Sequence, residues 1–487
     1  MSTTAVPPRP AFLDGPLRLY IGGQHVSTDD RMATVDPATG ETLAEVPVAS
    51  PAQVDLAVQA AADAFRGWRA TPPTQRARLL WALADLIEEH SEELAAIEVL
   101  DNGKPIGEAR AVDIALTIEI FRYYAGWTTK IAGSVPPNSI PGMLSMIRRE
   151  PVGVVAAITP FNAPLNTVVH KVGPALAAGN AVVLKPAEQT PLCSVALAQI
   201  LLDAGLPPGF LQLVCGPGET TGAALVADPR VRFFTFTGSA AVGLAIKQNS
   251  GIAKTHLELG SNSASIVAAD ADLGLVADLV TRAGYRKAGQ VCTSVQRLIA
   301  DVSVLDELAG LLAKRVGALR AGDPRDRAVQ VGPMIAPAEA ERAESWIRQA
   351  ASGGAAVLAG GNRDGPVLAP ALLRDPPPGS RIMTEEIFAP VVALVPAHGF
   401  DEAIGMINAG DYGLQAGVFT QDLDRAFHAA RRLQVGGVII NDTSSYHADA
   451  MPYGGVKNSG YGLEGPRYAV QDMTDPRIIV LNLREGA

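Results

Sequence analysis

The sequence predicts an α/β fold built on parallel sheets, and three observations carry that prediction. Of its 487 residues 48% are apolar and only 18% charged, a balance suited to strands buried on both faces. From Pro151 onward, short β-branched runs alternate with helix-length stretches, the pattern of right-handed βαβ crossovers. The 48 glycines and 36 prolines punctuate those units as turns. At about 150 residues per domain the length corresponds to two or three domains. A formal charge of −10 leaves no electrostatic footprint for nucleic acid. Low charge with high apolar content excludes a disordered chain.

Taken in order, Leu19–Ile21, a Gly22 and Gly23 turn, and Gln24–Val26 read as a hairpin. Ser50, Pro51 and Gln53 form a helix start with a cap and its partner three residues on, and that helix runs to about Trp68. Helices follow over 74–90 and 91–100, stopped by Asn102 and Gly103, and over 106–127. The second part reads as strand 152–158, helix 165–177 ended by Gly179, and strand Ala181–Lys185. A helix from Thr190 to near Gly205, strand 211–214, helix 219–226, strand 231–236 and a helix to Asn249 come next. A second set of β/α units spans 261–449. Pro136, Pro137 and Pro141 interrupt this order, so 132–149 reads as an extended hairpin reaching outward. The 476–483 stretch reads as a final strand.

Three cysteines without CxxC spacing, Cys193, Cys215 and Cys292, argue against a disulfide framework or a cysteine-rich metal site; no metal is expected. Residues 1–16 carry four prolines and no apolar run, so they read as a loose arm rather than a secretory signal. The uncharged stretch 151–170 reaches membrane length, but Pro160, Asn162, Pro164 and Asn166 would strand polar groups in lipid. The expectation is a soluble, cytoplasmic protein with no membrane partner.

Three residues at loops beside this framework could carry chemistry. Cys292 follows Gly289, Gln290 and Val291 and precedes Thr293, a setting that reads as a turn entering a helix, where amide dipoles would lower the thiol pKa. A lone cysteine is otherwise a small buried apolar residue. Glu258 ends a buried-type strand, where burial would raise its pKa and fit it as a general base; a solvated strand-end acid is the alternative. Asn162 lies between Pro160 and Pro164, so its amide could donate to an oxyanion, or serve as a turn residue. For a nucleotide, Phe236, Thr237, Gly238 and Ser239 follow a strand and open a helix, offering free amides to a phosphate. Lys185, Pro186, Ala187 and Glu188 stand at another strand's carboxyl end, the ligand edge of open α/β sheets.

In order along the chain stand Pro160-Phe161-Asn162, Lys185-Pro186-Ala187-Glu188, Phe236-Thr237-Gly238-Ser239, Glu258-Leu259-Gly260, Gly289-Gln290-Val291-Cys292, Glu385-Glu386-Ile387-Phe388 and Pro452-Tyr453-Gly454-Gly455. Together they resemble the NAD(P)-dependent aldehyde dehydrogenase superfamily, in particular its lactaldehyde and succinic-semialdehyde dehydrogenase-like branch. The resemblance implies a Rossmann-type NAD-binding domain (1–127 and 150–257), an α/β catalytic domain (258–470) and a β-hairpin oligomerisation arm (128–149 and 471–487), giving a homodimer or homotetramer. It implies Cys292 as nucleophile, Asn162 and the Cys292 amide as oxyanion donors, and Glu258 as the base that hydrolyses a thioester. NAD rather than NADP would be held by Thr159, Pro160, Phe161, Lys185, Glu188, Gly218, Phe236, Thr237, Gly238, Ser239, Val242, Leu259, Glu386 and Phe388. Small aldehydes would enter along Ala163, Thr167, His170, Val291, Thr293, Tyr446, His447 and Tyr453, with His170 and His447 placed to hold a hydroxyl or acidic tail, and Arg110 and Arg286 as cations that neighbouring helices could supply. Ser261, where the family has a glycine, predicts a restricted swing or altered acidity of Glu258. Two alternatives stay open here: a CoA-acylating dehydrogenase, and a catalytically idle structural relative.

Overall fold

A computed structural model describes residues 10–203 and 205–483. Most of the loose arm read over 1–16 lies outside the described residues, as do the last four residues of the arm read over 471–487; Ala11–Asp14 form a single 3-10 turn.

Local sequence sets the helix ends as anticipated. Ser50 and Gln53 cap the Pro51–Ala70 helix reciprocally, and Gly103 closes Ser91–Asn102 in the left-handed conformation at φ 76°. The 106–127 helix is interrupted by a π-helical stretch over Ala109–Ile114, a device that shifts the side chains downstream of it.

An eight-stranded sheet carries five parallel strands, Val154–Ile158, Ala181–Lys185, Leu211–Leu213, Val231–Thr237 and Lys254–Glu258. In space they run third, second, first, fourth, fifth in chain order, so the winding reverses between Val154–Ile158 and Val231–Thr237. The Leu19–Ile21 and Gln24–Val26 hairpin covers one edge. At the other edge Gly460–Tyr461, from within the span read as catalytic domain, pairs antiparallel with Lys254–Glu258. The second sheet has seven strands between Ala264 and Ile440, parallel except for the Ala356–Ala359 edge. Each sheet has its own buried core, to which its strands contribute chiefly Val, Ile, Leu, Ala and Phe, as burial on both faces requires.

The 132–149 segment differs from the hairpin that its prolines suggested. Met143–Pro151 pairs along its whole length with Thr474–Asn482, and one bridge, Ser134 to Ile147, ties the preceding stretch to it. Pro136, Pro137 and Pro141 lack the amide donors a ladder needs, so the C-terminal strand supplies the partner instead. Among the described residues no helix is long and apolar enough to cross a membrane.

Candidate active site

Where the winding of the first sheet reverses, the loops leaving two neighbouring strands part to opposite sides and leave a crevice at their carboxyl ends. A cavity of about 860 Å³ lies there. Thr159, Pro160 and Phe161 line it from one strand end, Thr237, Gly238 and Ser239 from the other, with Lys185, Glu188, Gly218, Phe236, Val242, Leu259, Glu386 and Phe388 completing the walls. Two glycines here are required by contact. A Cβ on Gly238 would stand 2.4 Å from the Phe236 ring, and one on Gly243 would stand 2.3 Å from Leu259. Ser239 caps the Ala240–Asn249 helix by accepting from the Val242 N–H. Glu188 is exposed on the rim and accepts from the Gly218 N–H at 3.3 Å. Glu386 is half-buried, accepts from the Ser261 N–H at 2.7 Å, and burial of its carboxyl pushes it up to about 7. Phe161 and Phe388 meet edge to face at 5.9 Å.

A second cavity, about 290 Å³, opens from the same place. Asn162, Thr237 and Cys292 line both cavities, and Glu258 lines the second alone. Cys292 therefore stands at the junction of a large site and a small one.

The thiol does not sit at a helix start, contrary to the reading of its flanks. It lies in a turn followed by the Arg297–Asp301 strand, and the turn is preceded by Lys287, Ala288 and Gly289 at φ 51°, 53° and 68°. Three successive left-handed residues are strained for all but glycine. Gly289 has no alternative, since a Cβ would overlap the Ala389 carbonyl. No helix dipole reaches the sulfur, and its pKa is not lowered: burial pushes it up to about 11, against the help of Tyr453, whose hydroxyl is 3.1 Å from Sγ. Asn162, which lines both cavities, donates one amide hydrogen to the Gln290 carbonyl at 2.7 Å and has a second one to give. The Cys292 N–H donates to no group among the described residues.

Glu258 ends its strand 4% exposed, and burial, reinforced by nearby Glu464 and opposed by Lys171, holds its carboxyl well above the usual range. Its Oε1 contacts His256 Nε2 at 3.1 Å, while Oε2 has no partner among the described residues.

The description "Aldehyde dehydrogenase family" matches residues 25–479. The chain belongs to the aldehyde dehydrogenase family. It is an oxidoreductase acting on aldehydes. A 3-sulfolactaldehyde dehydrogenase of Priestia aryabhattai is 44% identical over 469 residues, covering 96% of this chain and 98% of that protein. An aldehyde dehydrogenase from Bacillus cereus, solved as an NAD+ complex, matches with TM-score 0.95 at 38% identity over 99% of this chain and 100% of the other. Aldehyde dehydrogenase 21 from Physcomitrella patens, solved with its reaction product succinate, matches with TM-score 0.94 at 33% identity, covering 97% and 100%.

The second cavity of this aldehyde dehydrogenase gathers Ala163, Thr167, His170, Val291, Thr293, His447 and Tyr453. Tyr446 does not join them: it is 46% exposed, while Ser445 and His447 on either side line the cavity. Residues 443–446 form a turn closed by the Tyr446 N–H donating to the Thr443 carbonyl, and Gln415 fixes it by donating to the Ser444 and Tyr446 carbonyls. Ser261 does not contact Glu258. Its amide serves Glu386 and its hydroxyl meets Ser263 at 2.8 Å. Of the two cations considered, Arg110 pairs with Glu92, whereas Arg286 lines the cavity. Asn166, Gln415 and Glu464 also line it and were missed; their one signal was a polar side chain within an apolar run. Among the described residues no cluster of three or more His, Cys, Asp or Glu is arranged for a metal.

Proposed function

We propose that the enzyme oxidises a short aldehyde with a hydroxyl or anionic tail, of the sulfolactaldehyde or succinic-semialdehyde type, to its carboxylic acid with NAD. The observation that carries the substrate class is a set of unpartnered polar atoms around one small cavity. Asn166 Nδ2, His170 Nδ1, Arg286 Nε and Gln415 Oε1 are buried and have no hydrogen-bond partner among the described residues. Buried polar atoms in folded proteins are otherwise almost always paired. Lys287, the cavity's other cation, is paired with Asp113 at 2.9 Å, so Arg286 is the cation left for a ligand. A relative that acts on 3-sulfolactaldehyde and a neighbour that holds succinate agree with this class.

The residues of the larger cavity fit NAD. Strand ends and a capped helix N-terminus offer backbone amides to a pyrophosphate, and Glu188 on the rim disfavours a 2′-phosphate by charge. NAD when bound there supplies the acceptor for the hydride. Within the chain, the high-pKa Cys292 thiol releases its proton to water before attack, since only the thiolate is nucleophilic. Cys292 Sγ bonds to the aldehyde carbon, and the Asn162 amide and the Cys292 N–H hold the resulting oxyanion. Hydride loss leaves a thioester on Cys292. Glu258 then removes a proton from water as that water attacks the thioester carbon, the C–S bond breaks, that proton passes from Glu258 to the leaving sulfur, and the carboxylic acid departs and ionises.

Two cores support the division into a dinucleotide-binding and a catalytic domain. The ribbon of Met143–Pro151 and Thr474–Asn482 exposes Ile478, Val480 and Leu481, which supports an arm that pairs with a second copy in a homodimer or homotetramer. Free Cys193, Cys215 and Cys292 agree with the reducing cytoplasm.

Ranking 3-sulfolactaldehyde, succinic semialdehyde, lactaldehyde and hexanal by kcat/KM with NAD tests the substrate class. The anionic aldehydes should lead hexanal by about tenfold or more, as expected for one charge-assisted contact. Hexanal in first place would overturn the assignment. Acyl-CoA in place of free acid on adding CoA would show the acylating chemistry instead.

A further inference from the structure

His256 stands two residues before Glu258 on the Lys254–Glu258 strand, so both side chains leave the same face of the sheet. It is 1% exposed and lines neither cavity. The ring cannot turn freely, because the Gly462 backbone lies against it so closely that a Cβ there would be 2.7 Å from His256 Cδ2. Its Nε2 is 3.1 Å from Glu258 Oε1, and Glu258 Oε2, which has no partner among the described residues, belongs to a side chain that lines the cavity shared with Cys292.

We infer that His256 is a positioning residue for the base. Its Nε2–H engages Glu258 Oε1 and fixes the carboxylate so that Oε2 is the oxygen left to take the proton of the hydrolytic water. The inference rests on the thioester reading above and concerns which group orients Glu258 within it. The charges around Glu258 come from several elements. Glu464, on the loop before the Pro466–Asp472 helix, raises its pKa, Lys171 on the Asn166–Ala178 helix lowers it, and Cys292 and Tyr453 face it from the nucleophile loop and the 452–455 loop. His256 itself is kept neutral, burial pushing it down to about 4, so at working pH it can donate a hydrogen bond without adding a charge. A donor to the ionised form favours that form. Removing the donor should raise the pH at which Glu258 becomes a base.

The test uses the full-length wild-type enzyme with the H256F, H256L, H256Q and E258Q variants. Each is mixed with NAD and with 3-sulfolactaldehyde, succinic semialdehyde or lactaldehyde. The NADH burst and the steady-state rate are followed from pH 5.5 to 9.5 with whichever of the three gives the largest wild-type burst. E258Q should keep the burst and lose turnover. H256F and H256L should keep the burst, fall about tenfold in steady-state rate at pH 7, and move the rising limb up by about one pH unit. H256Q, whose amide nitrogen lies the same number of bonds from the backbone as Nε2, should return both toward wild type. H256L keeps the test open if H256F does not fold, as judged by melting temperature. An unmoved limb in both donor-less variants, a burst that falls in step with turnover, or no rescue by H256Q would overturn the assignment of His256. If the wild type shows no burst and E258Q turns over normally, the thioester reading falls, and the role of His256 with it.

Discussion

The larger cavity at Cys292 is framed by strand ends, a capped helix start and glycines whose side chains would collide with Phe236 or Leu259. The smaller one is made of side chains, brought by the 106–127 helix, the Asn166–Ala178 helix, the nucleophile loop and the 445–453 loop. In the first, ligand geometry follows from topology, because a reversal in strand order opens a crevice wherever it occurs. In the second, it follows from which polar atoms remain unpaired after packing. One cavity is thus specified by a fold and the other by a handful of residues, and they should respond differently to mutation.

The largest effect should come where the cavities meet. Cys292→Ser should cut NADH formation about a thousandfold or more while an NAD thermal-shift titration stays close to wild type; equal loss of both would mean that the two cavities are not independent. Asn162→Ala removes a donor that both cavities share, and kcat should fall about 10²- to 10³-fold. In the smaller cavity alone, Arg286→Ala should lower kcat/KM for succinic semialdehyde roughly 10- to 100-fold and leave lactaldehyde within about threefold, the range of a hydrogen bond to a charged group. In the larger cavity alone, Glu188→Gln should improve the NADP-to-NAD ratio of kcat/KM by about tenfold or less, since this carboxylate is exposed and screened.

The smallest effect is one of pH on stability. Glu386 is raised by burial to about 7, so the folded protein holds a proton that the unfolded chain has already released. Its contribution is therefore present below the ordinary glutamate value and lost as pH rises toward 7. Glu386→Gln should flatten part of that decline when urea unfolding is compared at pH 5 and pH 8. An unchanged slope would assign the decline to Asp101 and Glu98, which burial also raises to about 7.

The large cavity was legible because its residues come in contiguous strings: Thr159-Pro160-Phe161, Lys185 to Glu188, Phe236 to Ser239. Each string is the end of one strand, and the periodicity that marks the strand also marks its end. The setting of Cys292 was not legible, because glycine followed by hydroxyl residues suits a helix start and a strained turn equally. What decides between them is the Ala389 carbonyl from 100 residues further on, pressed against Gly289. Tyr446 and Arg286 show the same limit from opposite sides, since lining a cavity depends on which way a loop residue faces. The 132–149 segment reads from sequence as pairing with itself because its proper partner, Thr474–Asn482, lies more than 300 residues away in sequence.

By itself the sequence determined the α/β class, the helix boundaries at Ser50, Gly103 and Gly179, and the order of the family motifs. Those depend on near neighbours, through capping, backbone freedom and alternation of apolar residues. Tertiary structure alone decided that Cys292, Asn162 and Glu258 share one cavity, that the thiol rests high in pKa rather than low, and that His256 stands behind the base. Burial and cross-chain contact set those properties, and both come into being only when strands far apart in sequence are laid side by side.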